Sequence, residues 1–394
     1  MIHCNYPLIA KQWLLWVLIF LSVPIGVSAA DGEQKSESPK VFRFLKKVGT
    51  FLDSMAIHGM DRRYVELPRK PWQAIAQGSV NQSVLMMEAT LDGKAIFGES
   101  YGDVYWESRV KTGLAYAGVR LAYRGYGIGY SADLGHEDGS LLKFDAIGGR
   151  YGINLRICRF KTNEPSIRMS GYMPDWQEIY IPNYRLANPI RVRTLTLDGY
   201  YMFNTKRFSY SAAYDQTVIQ KHSAGSLMAG ANYYHSSIAY NNDKNADFIM
   251  FMDDIGVIKQ SQLNLGAGYT YNFVPCKGLL INAMLMPMVS VINRVKVWRY
   301  YSGLRDLFYE QKQIPSQDMD KEKLDELYEI RFVGTESQNS SMRLDFNARL
   351  SLTYNFGNWF MNAYGQYCSY RYHHEETHGR LKEWYVNASI GMRF

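Results

Sequence analysis

From residue 384 to residue 394 the chain alternates without interruption. Trp384, Val386, Ala388, Ile390, Met392 and Phe394 share one face, and Tyr385, Asn387, Ser389, Gly391 and Arg393 share the other. A period of two marks a strand, because successive side chains leave a pleated backbone on opposite sides. Upstream the pattern repeats at greater length. Met342, Leu344, Phe346, Ala348, Leu350, Leu352, Tyr354 and Phe356 alternate with Arg343, Asp345, Asn347, Arg349, Ser351, Thr353 and Asn355. Leu263, Leu265, Ala267, Tyr269, Tyr271 and Phe273 do the same against Gln262, Asn264, Thr270 and Asn272. Strands of soluble sheets average about 5 to 6 residues, whereas about 9 to 11 are needed to cross a bilayer at a tilt. Strands this long with one apolar face predict an all-β fold, a transmembrane antiparallel β-barrel.

Candidate strands lie at 79–91, 109–123, 126–134, 141–149, 152–160, 192–203, 207–216, 226–237, 261–274, 278–292, 342–356, 359–372 and 384–394. Tight turns are expected at Arg124-Gly125, 150–152, 204–207, 275–278 and Gly357-Asn358, and longer polar connections at 92–108, 161–191, 217–225, 293–340 and 373–382. The short turns read as periplasmic and the long connections as exterior loops. Bacterial single-chain barrels have even strand numbers, so one more crossing is needed, and DFIMFMDD at 247–254 supplies it. The expectation is 14 strands, with 12 as the alternative. Two segments carry helical spacing instead. Val41, Phe44, Leu45, Val48, Phe51, Leu52 and Met55, with Arg43, Lys46 and Lys47 opposite, predict a short N-terminal periplasmic amphipathic helix. SQDMDKEKLDELYEI at 316–330, opening on Ser316 after Pro315, predicts a helical lid in the longest loop.

Targeting agrees with export. Lys11, an apolar run over 13–27, then Ser28, Ala29, Ala30 and Asp31 describe a secretory signal peptide removed near Ala29 or Ala30. The expected layout is a signal peptide over 1–30, a periplasmic segment over 31–78 and an outer-membrane barrel over 79–394. After residue 30 no apolar stretch approaches the roughly 20 residues of a spanning helix, which excludes a helical membrane protein. The net charge of +7 forms no long basic run, so nucleic acid is not an expected partner. Cys158, Cys276 and Cys368 are widely spaced and odd in number, and outline neither a disulfide framework nor a metal cluster. The 31 tyrosines and 8 tryptophans suit aromatic girdles at two membrane interfaces. The expected partners are outer-membrane lipid and the barrel-assembly machinery, because a strand ending on Phe394 resembles the signal that machinery reads.

Candidate chemistry is sparse. HEETH at 374–378 fits the H-E-x-x-H pattern in which two histidines one helical turn apart hold zinc and the Glu acts as general base. That chemistry requires a helix, but the motif lies between two strands and Gly379 follows it at once. The extended motif would want a histidine where Trp384 stands. A polar loop is therefore expected, with no catalytic, cofactor or metal residue, and no serine sits in a nucleophile-elbow context. The inward strand faces offer more. Arg343, Asp345, Asn347, Arg349, Ser351 and Thr353, then Asn362, Tyr364 and Gln366, then Asn387 and Arg393, are the lumen-facing candidates. Mixed charges there either set a pore's selectivity or pair with one another in a closed barrel. The function expected is a pore or a binding or transport protein for a small solute or lipid. The alternatives are a structural or adhesive surface barrel and a lipid-modifying enzyme.

MDRRYVELP (60–68), YRGYGIGYS (123–131), FNTKRFSYSAAYDQ (203–216), QKHSAGS (220–226) and LGAGYTYNF (265–273) resemble the motifs of an uncharacterised Bacteroidota family, domain of unknown function family 4421. The resemblance spans residues 60–394. It implies an outer-membrane barrel and supplies no activity, cofactor or catalytic residue.

Overall fold

The computed structural model describes residue 54 and residues 59–91, 104–135, 139–162, 165–171, 179–182, 184–252, 254–309, 320–339, 344–374 and 377–394. Strand β1 (Val65–Glu66) precedes β2 (Trp72–Leu91), β3 (Val104–Tyr123), β4 (Tyr126–Asp133), β5 (Ser140–Ile147) and β6 (Tyr151–Thr162). Short β7 (Ser166–Gly171) and β8 (Ile179–Ile181) lead to β9 (Ile190–Met202), helix α1 (Tyr210–Tyr214), β10 (Ile219–Gln220) and β11 (Ala224–Ala239). After helix α2 (Ala246–Phe251) come β12 (Ile255–Cys276), β13 (Leu279–Ser302), and helices α3 (Gly303–Tyr309) and α4 (Lys321–Tyr328). The chain ends with β14 (Ile330–Asn339), β15 (Leu344–Phe356), β16 (Trp359–His374) and β17 (Thr377–Arg393).

Twelve of these strands close an antiparallel barrel in the order β2, β3, β4, β5, β6, β9, β11, β12, β13, β15, β16, β17, with β17 returning to β2. The seam runs from Arg393↔Gln73 to His378↔Glu88, and Trp72 and Phe394 exchange backbone hydrogen bonds at its end. Closure leaves no barrel strand with a free edge. Beyond the barrel rim, β7 pairs with β3, β8 with β7, and β14 with β13.

The barrel therefore has 12 strands, the alternative count, and not 14. Segment 207–216, expected as a strand, holds α1, and 247–254, expected as a crossing, holds most of α2. Each misleads for a physical reason. Every residue of α1 is buried, so no solvent-facing stripe reveals a 3.6-residue period, and Phe208, Tyr210, Ala212 and Tyr214 imitate alternation. The apolar run of α2 buries Phe248, Ile249, Met250 and Met252, and a run buried on every side does not distinguish helix from strand. Residues 217–225, expected in an exterior loop, lie with α1 at the turn end. Of the segment 373–382, also expected as a loop, residues 373–374 and 377–382 are the paired ends of β16 and β17. Helix α4 occupies part of the expected lid, with Asp320 at the N-cap position, while Ser316 lies outside the described residues. The signal peptide, and all of the expected helix over 41–55 except Ser54, lie outside them as well.

One face of each strand points out. On β13, Ile281, Leu285, Val289 and Val291 are exposed, while Leu280, Met284, Met286 and Met288 are buried. Large apolar residues such as Val119, Leu227 and Leu350 are about two-thirds exposed at 68%, 65% and 65%. From residue 281 to residue 291 the strand rises about 33 Å, or about 25 Å of height at a tilt near 40°, the depth of an outer-membrane apolar band. Tyr201, Phe203, Tyr271, Phe273, Tyr354, Phe356 and Trp359 ring the end where the barrel's first and last strands begin and finish. No helix among the described residues is long and apolar enough to cross a membrane.

The turns at that end are short. Arg124 and Gly125 both take positive φ, 48° and 92°, the geometry of a two-residue hairpin turn whose twist matches the strands. The other end carries the long connections and α2, α3 and α4, where Ala246, Met250 and Leu304 form a small apolar core with Leu327 and Tyr328 against it.

Candidate functional site

The β9–β11 connection is long, and it enters the bore. Ser209 caps α1 by accepting from the Ala212 amide, and the chain leaves the helix through Gln216 at φ 58°, which returns it toward β10. There β10 pairs with β1, Val65↔Gln220 and Glu66↔Ile219. Segment 60–68 thus forms a latch beneath the plug: Asp61 N–H donates to Lys206 O at 2.8 Å and Lys221 N–H to Tyr64 O at 2.8 Å.

Side chains from half the barrel strands hold this plug. From β12, Asn272 Nδ2 donates to Ser209 O at 2.8 Å. Asn282 on β13 accepts from Tyr214 Oη at 2.6 Å. On β15, Arg349 Nη1 donates to Tyr210 Oη at 2.7 Å and Thr353 Oγ1 to Ala213 O at 3.4 Å. From β16, Asn362 Nδ2 reaches the same Ala213 carbonyl at 3.0 Å. Arg393 on β17 donates to Gln216 O at 2.7 Å, and Arg120 on β3 pairs with Asp215. Carbonyls that α1 leaves unbonded at its C-terminal turn are thereby satisfied by the wall. Burial pushes the Tyr210 and Tyr214 phenols above their ordinary value, so both remain neutral hydrogen-bonding groups.

Two ion-pair centres flank the helix. Arg349 Nη2 meets Asp198 Oδ2 at 2.7 Å, with both side chains at most 5% exposed. Arg120 Nε meets Asp145 Oδ2 at 2.8 Å, and Lys143 Nζ approaches the same oxygen at 3.7 Å. Tyrosines line the space between. The Tyr210 ring packs on Tyr200 and Tyr214, and Tyr364 on Tyr214 and Tyr385. Lys143 donates to Tyr364 Oη at 3.2 Å and Arg156 lies over the Tyr385 ring.

Of the lumen-facing candidates, Arg349, Thr353, Asn362 and Arg393 bond the plug directly, and Tyr364 packs against it. Asp345 accepts from Gln262 at 2.5 Å, Asn347 donates to Tyr200 Oη at 3.0 Å, and Asn387 donates to Tyr385 Oη at 3.5 Å. Ser351 and Gln366 are buried, and Arg343 lies outside the described residues. The sequence reading missed Arg120, Lys143, Asp145, Asp198 and Asp215. The first four sit at every-other positions of strands whose opposite faces are apolar, the signal that picked out β15.

The arrangement can lock a bore. His374 lies on β16 and Thr377 and His378 on β17, with His373↔His378 and His374↔Thr377 in register. This is a hairpin, whose extended backbone denies the two histidines the shared helix face that the protease motif needs. Among the described residues no group of three or more His, Cys, Asp and Glu is placed to hold a metal ion.

The model of a family described as a domain of unknown function (DUF4421) matches residues 112–394. No curated protein matches the chain. Among solved structures it is similar to the outer membrane protease OmpT from Escherichia coli, at 9% identity and a TM-score of 0.38, over 84% of this chain and 98% of that one. It is also similar to the translocator domain of autotransporter NalP from Neisseria meningitidis, at 9% identity and a TM-score of 0.31, over 90% of this chain and 97% of that one. A third is the beta domain of the Bordetella autotransporter BrkA, at 12% identity and a TM-score of 0.30, over 82% of this chain and 100% of that one.

Proposed function

The chain belongs to the domain of unknown function family 4421, and from that premise we propose that it is an outer-membrane barrel that handles a small solute or lipid by binding and gated passage, not as an open pore. The membrane placement is supported by the outward apolar band of about 25 Å and the aromatic ring at its turn end. One observation carries the rest: residues 208–220 occupy the bore and are bonded by side chains of six of the twelve barrel strands. Mixed inward charges, which could have lined a selective channel, are spent on one another and on the plug. A solute crosses only when that segment leaves.

Planar-bilayer recording tests this. The intact barrel is silent, and replacing residues 209–219 by a Gly-Ser linker of equal length produces stepwise conductance. Stepwise conductance by the unmodified barrel would sink the closed-bore reading. Silence of the linker variant, with heat-modifiable gel migration retained, would remove the passage half and leave binding alone.

A further inference from the structure

Above the apolar band, at the loop end, four of five neighbouring strands carry cations on their outer faces. The register places Arg159 of β6 opposite Arg193 of β9, Arg193 opposite Ser237 of β11, Ser237 opposite Lys259 of β12, and Lys259 opposite Lys296 of β13. Four of the five positions in this one row are Lys or Arg. In the row beyond it Lys161 stands opposite Arg191, and in the row below Arg294 stands opposite Ser261. Outward positions of these three rows on these five strands hold no carboxylate.

That arrangement has a cost. Directly opposed residues of an antiparallel pair bring their Cβ atoms within about 4.5–5.5 Å, and like charges there repel. Here three opposed pairs are both basic: Arg159 with Arg193, Lys161 with Arg191, and Lys259 with Lys296. Lys259 and Lys296 also share one aromatic platform, lying 4.5 and 5.0 Å from the Trp298 ring. Immediately below, Ile157, Leu195, Leu197 and Tyr233 continue the apolar outer face.

We propose that this face binds the headgroup of a multiply phosphorylated lipid of the outer leaflet, with Arg159, Arg193, Lys259 and Lys296 as its principal contacts. The row spans four interstrand steps, about 19 Å, more than a single phosphate fills. A ligand that is polyanionic at one end and apolar at the other matches a cationic row set directly on an apolar band. Trp298 sits where interfacial aromatic residues anchor. The inference rests on the membrane-barrel reading above and names the lipid chemistry that reading left open.

The full chain, refolded into phosphatidylcholine vesicles, is titrated with diphosphorylated lipid A, with its dephosphorylated form, and with inorganic phosphate. Lipid copurification and the heat-modifiable unfolding midpoint are measured. The diphosphorylated lipid binds and raises the midpoint, its affinity falls with salt, and R159Q/R193Q/K259Q/K296Q weakens binding at least about tenfold. Without the lipid, R159Q/R193Q unfolds no earlier than the wild type, because it loses the repulsion between those two opposed residues. Equal binding by wild type and variant, or by the two lipid forms, overturns the proposal, and stabilisation by inorganic phosphate alone overturns its assignment to lipid. Salt dependence of the unmodified chain decides the matter if the variant does not fold. Absence of heat-modifiable migration in phosphatidylcholine would instead remove the membrane-barrel reading and this inference with it.

Discussion

Arg349 on β15 and Asp198 on β9 meet at 2.7 Å across the bore, although β13, β12 and β11 separate their strands in the sheet. The pair acts as a cross-brace, because Arg349 also bonds Tyr210 of the plug. Taking two charges out of water is costly, and their attraction repays it only while both remain. Asp198→Asn, which leaves the guanidinium without its counter-charge, should lower the stability of the refolded barrel by about 3 to 5 kcal/mol, while the paired change R349M/D198L costs clearly less. Urea unfolding in lipid vesicles reads both, and additive losses would show that the residues do not act as a pair.

Two turn glycines should respond very differently to one added methyl group. Gly125 has φ 92° and a Cβ there would stand 2.0 Å from Ile147 O, whose own residue donates its amide to Gly125 O at 2.8 Å. Gly357 has φ 61° with nothing within 4 Å of the same position. Gly357→Ala should cost about 1 kcal/mol, the ordinary expense of left-handed backbone. Gly125→Ala adds a backbone clash and should cost at least twice as much, visible as a lower heat-modifiable midpoint. Equal losses would mean the β5–β6 corner yields freely.

The strands were legible wherever water or lipid touches one face and the bore touches the other. β15 reads residue by residue, because Leu344 through Tyr354 meets two different environments in turn. The plug escaped for the opposite reason. Phe208 to Tyr214 is surrounded on every side by protein, so no sequence period records its helix, and its partners Arg349, Asn362 and Arg393 lie more than a hundred residues away. The inward polar residues could be picked out one strand at a time, but which of them bond each other depends on barrel closure, which pairwise alternation does not encode. Three of the five family-like segments, 60–68, 203–216 and 220–226, converge on the plug and its latch, a meeting no spacing in the chain foretells.

The strand ends that flank Glu375 and Glu376 pair with His373 and His378 in register, so the metal chemistry available to HEETH is limited. Two ligands on adjacent strands fall short of the three that a catalytic zinc site requires. Calorimetry of the folded barrel with zinc should give weak binding that H373A or H378A abolishes, with heat-modifiable migration unchanged. A tight one-to-one isotherm that survives either change would reopen the case for a built site.

Tyr184 ties the approach to β9 onto α2: its Oη donates to Asp247 Oδ2 at 2.6 Å, and Asn188 N–H donates to Asn245 Oδ1 at 3.2 Å beside it. Burial, and then the bond to Asp247, raises the phenol above its ordinary value. A folded-state value above the unfolded one means the neutral form is favoured in the fold. Its contribution is therefore complete below about pH 10, the unfolded value, and is lost as pH rises through the folded one. Hydrogen exchange at Asn188 and Asn245, corrected for intrinsic rates, should show protection that is flat to about pH 10 and then declines. Tyr184→Phe should lower protection at neutral pH and abolish the alkaline decline, since the group that ionises is gone. An identical alkaline decline in that variant would assign it to other groups, and undiminished neutral protection would show that the tie contributes nothing to holding the loop on α2.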